Sequence, residues 1–497
     1  MASKFRVAAW LVVGALTGVM ATLQVQALAR NTVSPLPLEE LQQFAAVYGL
    51  IKADYFEPTE GRKLVENAIN GMVNNLDPHS EYLDKKAFKE FKESTSGKFV
   101  GVGIEITAED GLVKVVSPIE GSPAARAGIH TGDLITRIDD TAVKGLTLNE
   151  AVKLMRGKPG TKVTLTMLRK AENRVLTFTV TREVIHVQSV KGRMAAPGYG
   201  WVRITQFQSD TLPSFVDKID SLYKQDPNLK GIVLDLRNDP GGLLESAVGV
   251  ASVFLPADAV IVSTRGQMPE ANASYRNTPS DYLNQPGDNP LDSLPPAVKT
   301  VRLVVLINGG SASASEIVTG ALQDYKRAAV MGTLSFGKGS VQTVLPLGPD
   351  TALKLTTARY YTPNGQSIQG KGISPNYEVD PLQSGDPYAA LRMREIDYKN
   401  QIGTGDESAA SKQVENDVRK QEEARRLLEA QLQQDPSKLP KLPEYGSKED
   451  WQLTQALNYL EGKPVVVAKQ ATAAKARPAP AAAGMPRTPA SGAAKTR

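Results

Sequence analysis

The chain has 497 residues, too many for one hydrophobic core, so several domains are expected. Its 41% hydrophobic and 22% charged residues are ordinary for globular protein, and the absence of cysteine excludes disulfides, cysteine-ligated zinc and thiol catalysis. The net charge of +5 is set by residues 463–497, which hold seven basic side chains and no acid; the remainder is near neutral at −2, which argues against a nucleic-acid-binding core.

Residues 1–29 read as an export signal. Lys4 and Arg6 form a basic start, 7–23 an apolar run, and Ala27-Leu28-Ala29 a cleavage signal, with cleavage after Ala29. An uncleaved membrane anchor is the alternative, since seventeen apolar-rich residues is borderline for a span. Residues 37–95 predict a helical region: Leu41, Phe44, Val47, Tyr48 and Ile51 recur at helical spacing, as do Leu64, Ala68, Ile69 and Met72, until Asp77-Pro78 breaks the pattern.

From 98 to 185 short strands with glycine turns predict a compact β-rich module, with "LNEAVKLMR" as its one helix. From 186 to 380 strand and helix alternate. "GIVLDLR" and "VRLVVLIN" are continuous apolar runs, as buried strands should be, and the alternation predicts an α/β layered sheet with a surface excursion over 266–296. Residues 386–462 read as helical and charged, and 463–497 as a disordered Ala/Pro/Lys-rich tail. Apolar "WQLTQALNYL" at 451–460 has two readings, burial within the chain or against another subunit. The fold class expected is multidomain α+β.

Chemistry concentrates in three stretches. "INGGSASASEI" follows an apolar strand and opens an amphipathic helix. Ser313 and Glu316 stand in capping-box spacing, with Ser311 before the helix and Ser315 in its first turn. Ser313 is thus a helix cap, or a nucleophile placed beside free backbone N–H groups, or both. A serine nucleophile needs a base. His79, His130 and His186, all of the histidines present, lie in other parts of the chain. "LSFGKGSVQTVLPL" supplies Lys338, a base if burial lowers its pKa and otherwise a solvated turn lysine. Gln342 stands four residues on, at a separation that suits the same face of a strand. The phosphate-loop pattern is absent, because Gly339 follows Lys338. "LDLRNDPGGLL" ends a buried strand in a glycine turn, Gly241-Gly242, whose amides are either oxyanion donors or only a tight turn.

In order, "GVGI", "GSPAARAGIHTGDLITRID", "MRGKPGT", "LDLRNDPGGLL", "NGGSASASEI", "FGKGSVQ" and "YYTPNGQSIQGKGISP" resemble the carboxyl-terminal processing (tail-specific) serine proteases over about residues 38–380. The resemblance implies an envelope endopeptidase with Ser313 as nucleophile, Lys338 as general base and Gln342 orienting it. It implies an oxyanion hole of backbone N–H groups from Ala314 and the Gly241-Gly242 turn, an acyl-enzyme intermediate, and no cofactor or metal. It also implies that 98–185 is a PDZ domain capturing unstructured C-terminal tails. Gly101, Val102, Gly103 and Ile104 would form its carboxylate loop, and Ala151, Val152 and Met155 its groove wall or part of its core. The helical ends resemble subunit-assembling regions, so a homo-oligomer is expected, and an envelope adaptor protein is an open partner. A non-catalytic PDZ scaffold is the alternative from another class, and a hydrolase using His186 or His130 a third.

Overall fold

Apolar runs and glycine turns set the architecture of this computed structural model, which describes residues 37–109, 111–283, 287–403, 426 and 441–468. The expected signal at 1–29, residues 404–425 and 427–440 of the charged stretch at 386–462, and all but the first residues of the tail at 463–497 lie outside the described residues. Among the described residues no helix is long and apolar enough to cross a membrane.

The chain divides into two compact units, 1–72 and 73–497. The first holds helix α1 (Leu38–Asp54) and most of α2 (Gly61–Asn74). Every apolar side chain of α1 is at least partly exposed, with Leu38, Leu41, Phe44, Val47 and Leu50 well into solvent.

The second unit opens with β1 (Glu81–Leu83) and α3 (Lys85–Ser96), capped by Asp84 and ended by Gly97 at φ 68°. Strand β2 (Lys98–Gly101) pairs antiparallel with β9 (Glu183–His186) and closes the neck of a β-rich module. That module is a sheet ordered β3 (Ile104–Glu109), β4 (Leu112–Pro118), β5 (Leu134–Ile138), β7 (Lys162–Arg169), β8 (Arg174–Thr181), with short β6 (Thr141–Ala142) on β5. Among the described residues strand β3 pairs only with β4, which leaves its other edge unpaired there. Helix α4 (Leu148–Met155) begins at a complete capping box, Thr147 with Glu150. Val113, Val115, Ile135, Leu165 and Met167 fill the core.

The layered sheet runs β10 (Val190–Ala196), β11 (Tyr199–Ile204), β12 (Gly231–Asp235), β15 (Arg302–Ile307), β16 (Ala329–Gly332), β19 (Tyr377–Glu378). All neighbours are parallel except β10 on β11, as α/β alternation predicts. One face packs on α5 (Thr211–Gln225), α6 (Leu244–Phe254) and α7 (Ala314–Asp324). The opposite face, with Trp201, Val233, Val304 and Leu306, is covered by α8 (Trp451–Leu460) through Leu453, Ala456 and Leu460, which decides its two readings for burial within the chain. A second sheet, β1, β18 (Ala352–Tyr361), β13 (Val260–Gly266), β14 (Ala273–Arg276), carries β17 (Ser340–Pro346) as a hairpin on β18. The helical reading of 386–462 fails at its start: 386–403 is irregular with two short turns of 3-10 helix. There Glu395 and Arg392 are fixed by contacts with His79 and Thr333, far away in the chain, that a local pattern does not encode.

Candidate active site

Of the three serines after β15, two spend their hydroxyls on the scaffold. Ser311 Oγ donates to Leu236 O (2.7 Å) and accepts from Asn308 N (2.9 Å). Ser315 Oγ donates to Asp239 O (2.9 Å). The buried Ser313 has neither kind of bond and stands at φ 53°, ψ −112°, a region that costs a non-glycine residue about 1–3 kcal/mol. The predicted capping box is in place at Ser313 and Glu316, with its hydroxyl half too loose to count as a hydrogen bond. The Ser313 N–H donates to Glu316 Oε2 (2.9 Å), but the Ser313 carbonyl, not its hydroxyl, receives the Glu316 and Ile317 amides (2.8 and 2.9 Å). The hydroxyl is left for other work at the positive end of α7.

Glu316 does more than cap. Its carboxylate, fully buried, also accepts from Ser335 Oγ, Gly337 N (2.7 Å) and Lys338 N (2.9 Å). Both the serine turn and the lysine turn are therefore anchored on one carboxylate. Burial raises its pKa to about 7, with the four donors pulling the other way.

Lys338 lies in the turn before β17, not on a strand face with Gln342 as the spacing suggested. The register shift between Val341 and Gln342 leaves Thr357 of β18 without a partner in β17, and the Lys338 and Gln342 side chains meet at the start of β17. Lys338 Nζ donates to Gln342 Oε1 (2.6 Å) and Ser340 O (3.2 Å). Gln342 Nε2 donates to Ser340 Oγ (3.0 Å) and Thr356 Oγ1 (3.2 Å), which fixes its oxygen toward the lysine. Burial of the ammonium lowers the Lys338 pKa to about 8, and the negative charge of Glu395 opposes that. Among the described residues no hydrogen bond joins Lys338 to Ser313.

The glycine turn meets the serine directly. A Cβ on Gly241 would lie 2.7–2.9 Å from Ala312 O, Ala314 N and Ser313 Cβ, and the residue's φ is 95°. A Cβ on Gly242 would strike Phe207 O at 2.0 Å. The Gly241 N–H, expected as an oxyanion donor, instead donates to Asp239 Oδ1 (2.9 Å). The Phe207 amide and carbonyl pair with Gly241 O and Leu243 N, which leaves the Gly242 N–H as the turn's uncommitted donor beside that of Ala314.

Three side chains with bearing on Lys338 went unread in the sequence. Glu395, wholly buried, meets His79 Nε2 at 2.8 Å and accepts from Gln369 Nε2 (2.9 Å), and Gln369 Oε1 receives the Gly339 amide. Asp77 accepts from Ser80 and from Thr356 Oγ1, the hydroxyl that receives Gln342. No local signal ties them to Lys338, because apart from Ser80, three positions from Asp77, these partners lie 26 to 316 positions away. Of the other histidines, His186 pairs with Asp210 at the surface, and the His130 amide donates to Asp133.

In the β-rich module, Ala151 and Met155 pack into the core, the second of their two readings, because α4 turns its 151/155 face inward, and Val102 of the expected carboxylate loop is buried with them. Ile104 and Val152 stay partly exposed. Val152 helps line a cavity of about 560 Å³ with Phe99, Arg156 and Gln206. Gly103 sits at φ 78° with its carbonyl held by Ile119 N and Ser122 Oγ (both 2.9 Å), so the 101–104 loop is braced from behind.

A hydroxyl kept free at a helix start, beside a lysine of lowered pKa and a turn with an uncommitted amide, is the equipment of a serine-type peptidase. Residues 198–379 match the model of peptidase family S41, 100–181 that of the PDZ domain, and 19–87 that of the "activating protease CtpB N-terminal domain". A carboxy-terminal-processing protease of Bartonella bacilliformis is 46% identical over 344 residues, 69% of this chain and 75% of that one. A probable CtpA-like serine protease of Staphylococcus aureus is 41% identical over 342 residues, 68% of this chain and 65% of that one. Among solved structures, a photosystem II D1 C-terminal processing protease is 31% identical, covering 68% of this chain and 86% of that one at a TM-score of 0.39. The chain belongs to the carboxy-terminal-processing proteases of family S41 and is a serine-type peptidase with a PDZ domain. Membership of a peptidase family sets aside the non-catalytic scaffold.

Proposed function

We propose that the protein hydrolyses peptide bonds with a Ser313–Lys338 dyad, fed by protein C-terminal tails held on its PDZ domain. Neutral Lys338 takes the Ser313 proton, Ser313 Oγ attacks the scissile carbonyl, and the Gly242 and Ala314 amides receive the oxyanion. The resulting ammonium protonates the leaving amine, and water then releases the acyl group by the same proton path. Gln342 orients the lysine. Lys338 must leave its bonds to Gln342 and Ser340 to reach the serine, a tightening expected when substrate fills the site. The observation that carries this reading is Glu316, one buried carboxylate fastened to the backbones of both Ser313 and Lys338.

The tail would add as a strand along the unpaired edge of β3, its carboxylate at residues 101–104 and its side chains against Ile104 and Val152. Export by residues 1–29 would put the enzyme in the envelope, on the periplasmic side, where an adaptor protein could present substrates. The apolar residues left exposed on α1 suit a homo-oligomer. Ser313→Ala and Lys338→Ala should each abolish cleavage of an unstructured C-terminal peptide while far-UV circular dichroism and melting stay near wild type. Full activity in Lys338→Ala would sink the dyad. Substrates retained by the Ser313→Ala protein, identified by mass spectrometry, would define its targets.

A further inference from the structure

Under the oxyanion turn lies a carboxyl group that the mechanism above does not use. Asp239 is wholly buried. Its Oδ1 accepts the Gly241 N–H at 2.9 Å, and its backbone carbonyl accepts the Ala312 N–H (3.0 Å) and the Ser315 hydroxyl (2.9 Å). One residue thereby ties the Gly241-Gly242 turn to the serine turn on both sides of Ser313. Its second oxygen, Oδ2, meets no donor or acceptor among the described residues. A buried carboxylate is ordinarily paired or rich in donors, and Asp235, one turn earlier, holds both Arg203 and Arg237. Asp239 has one amide.

We propose that Asp239 is a positioning residue that works as a neutral carboxylic acid, holding the oxyanion turn while it is protonated and disabling it once ionised. The proposal rests on the serine–lysine reading above. The physical reason is proximity: Gly241 has no room for a methyl group between itself and Ser313 Cβ, so a charge on the group bonded to Gly241 lies beside the site of the developing oxyanion. Like charges there raise the barrier. The groups that face Asp239 do not rescue the charged form. The Gly241 amide, the Ser315 hydroxyl of α7, whose hydrogen bond goes to the backbone carbonyl, and Arg203 on β11 favour it, and Asp235 at the end of β12 opposes it. Desolvation outweighs these and lifts the pKa to about 8.

Lys338 must lose a proton and Asp239 must keep one. The wild-type kcat/KM for a C-terminal peptide should therefore form a narrow bell near pH 8. Asp239→Asn keeps an oxygen for the Gly241 amide and cannot ionise. Its profile should rise on the same acid limb and then stay flat, exceeding wild type by about 30-fold at a pH about 1.5 units above the bell's centre and matching it well below. Its melting temperature should exceed wild type increasingly as pH rises from 5 to 9. The sign follows from a raised carboxyl pKa, whose stabilisation is complete below the unfolded value near 4 and is lost as pH rises through about 8. An alkaline limb that persists in Asp239→Asn, a loss of activity equal at every pH, or a variant that fails to fold would each overturn the proposal. An acid limb missing from wild type, or an active Ser313→Ala, would instead condemn the dyad.

Discussion

Glu316→Gln should both loosen the fold and misplace the dyad. The two carboxylate oxygens receive four donors: Ser313 N and Lys338 N on Oε2, Ser335 Oγ and Gly337 N on Oε1. Glutamine offers one oxygen and one NH2 group: turned toward Ser335 and Gly337, the NH2 leaves the Gly337 amide unmet while the Ser335 hydroxyl can accept, and turned toward Ser313 and Lys338 it faces a pair of backbone donors. Each buried donor left unmet costs about 1–3 kcal/mol, which makes about 2–6 kcal/mol for the pair. That is a large share of the ~5–15 kcal/mol that holds a typical domain. Where the amide faces Ser313 and Lys338, the two backbones part, and a displacement of about 1 Å between reacting groups lowers kcat about 100-fold. Urea unfolding followed by tryptophan fluorescence reads the first effect, and single-turnover cleavage of a C-terminal peptide reads the second. Glu316→Asp, which keeps both oxygens but withdraws them by one methylene, should lose activity with a smaller loss of stability. A Glu316→Gln protein with wild-type urea midpoint and a kcat within about twofold of wild type would refute the claim that this carboxylate joins the two turns.

Removing the negative charge of Glu395 by Glu395→Gln should move the acid limb of kcat/KM below its position near pH 8, since that charge favours protonated Lys338. An upward shift in the pH-rate profile would contradict the assignment. Asp450→Ala strips Arg237 of two bonds, at 2.9 and 2.6 Å, and leaves a buried guanidinium with one carboxylate partner. A loss of about 3–5 kcal/mol in urea unfolding is expected, with α8 released from the sheet and more susceptible to proteolysis.

Much of this organisation is written in local pattern. Continuous apolar runs mark β12 and β15 because both faces of those strands are covered, and periodicity marks α5 because one face of it is, whereas α7, which the sequence reads as amphipathic, is buried all round from Ala314 to Leu322. Capping spacing singles out Ser313 and Glu316, and two glycines in succession mark a turn that no side chain could share. The order of motifs carried the family and, with it, Lys338 and Gln342.

Tertiary structure alone decided how these pieces act. Leu236 and Asp239 consume the hydroxyls of Ser311 and Ser315 across 75 and 76 positions, which leaves that of Ser313 without a hydrogen bond among the described residues. The Asp239 side chain folds back onto the Gly241 amide and occupies it, so among the described residues the Gly242 amide is the one this turn leaves free. Helix α8 lies on the sheet through an ion network spanning 213 positions. Proton affinity at Lys338 depends on Glu395 and Asp77, drawn from opposite ends of the described chain. Short-range spacing reports which face of an element is apolar and where it must turn. Burial, charge proximity and hydrogen-bond competition between distant segments exist only once the chain has folded, and they select the residues free to do chemistry.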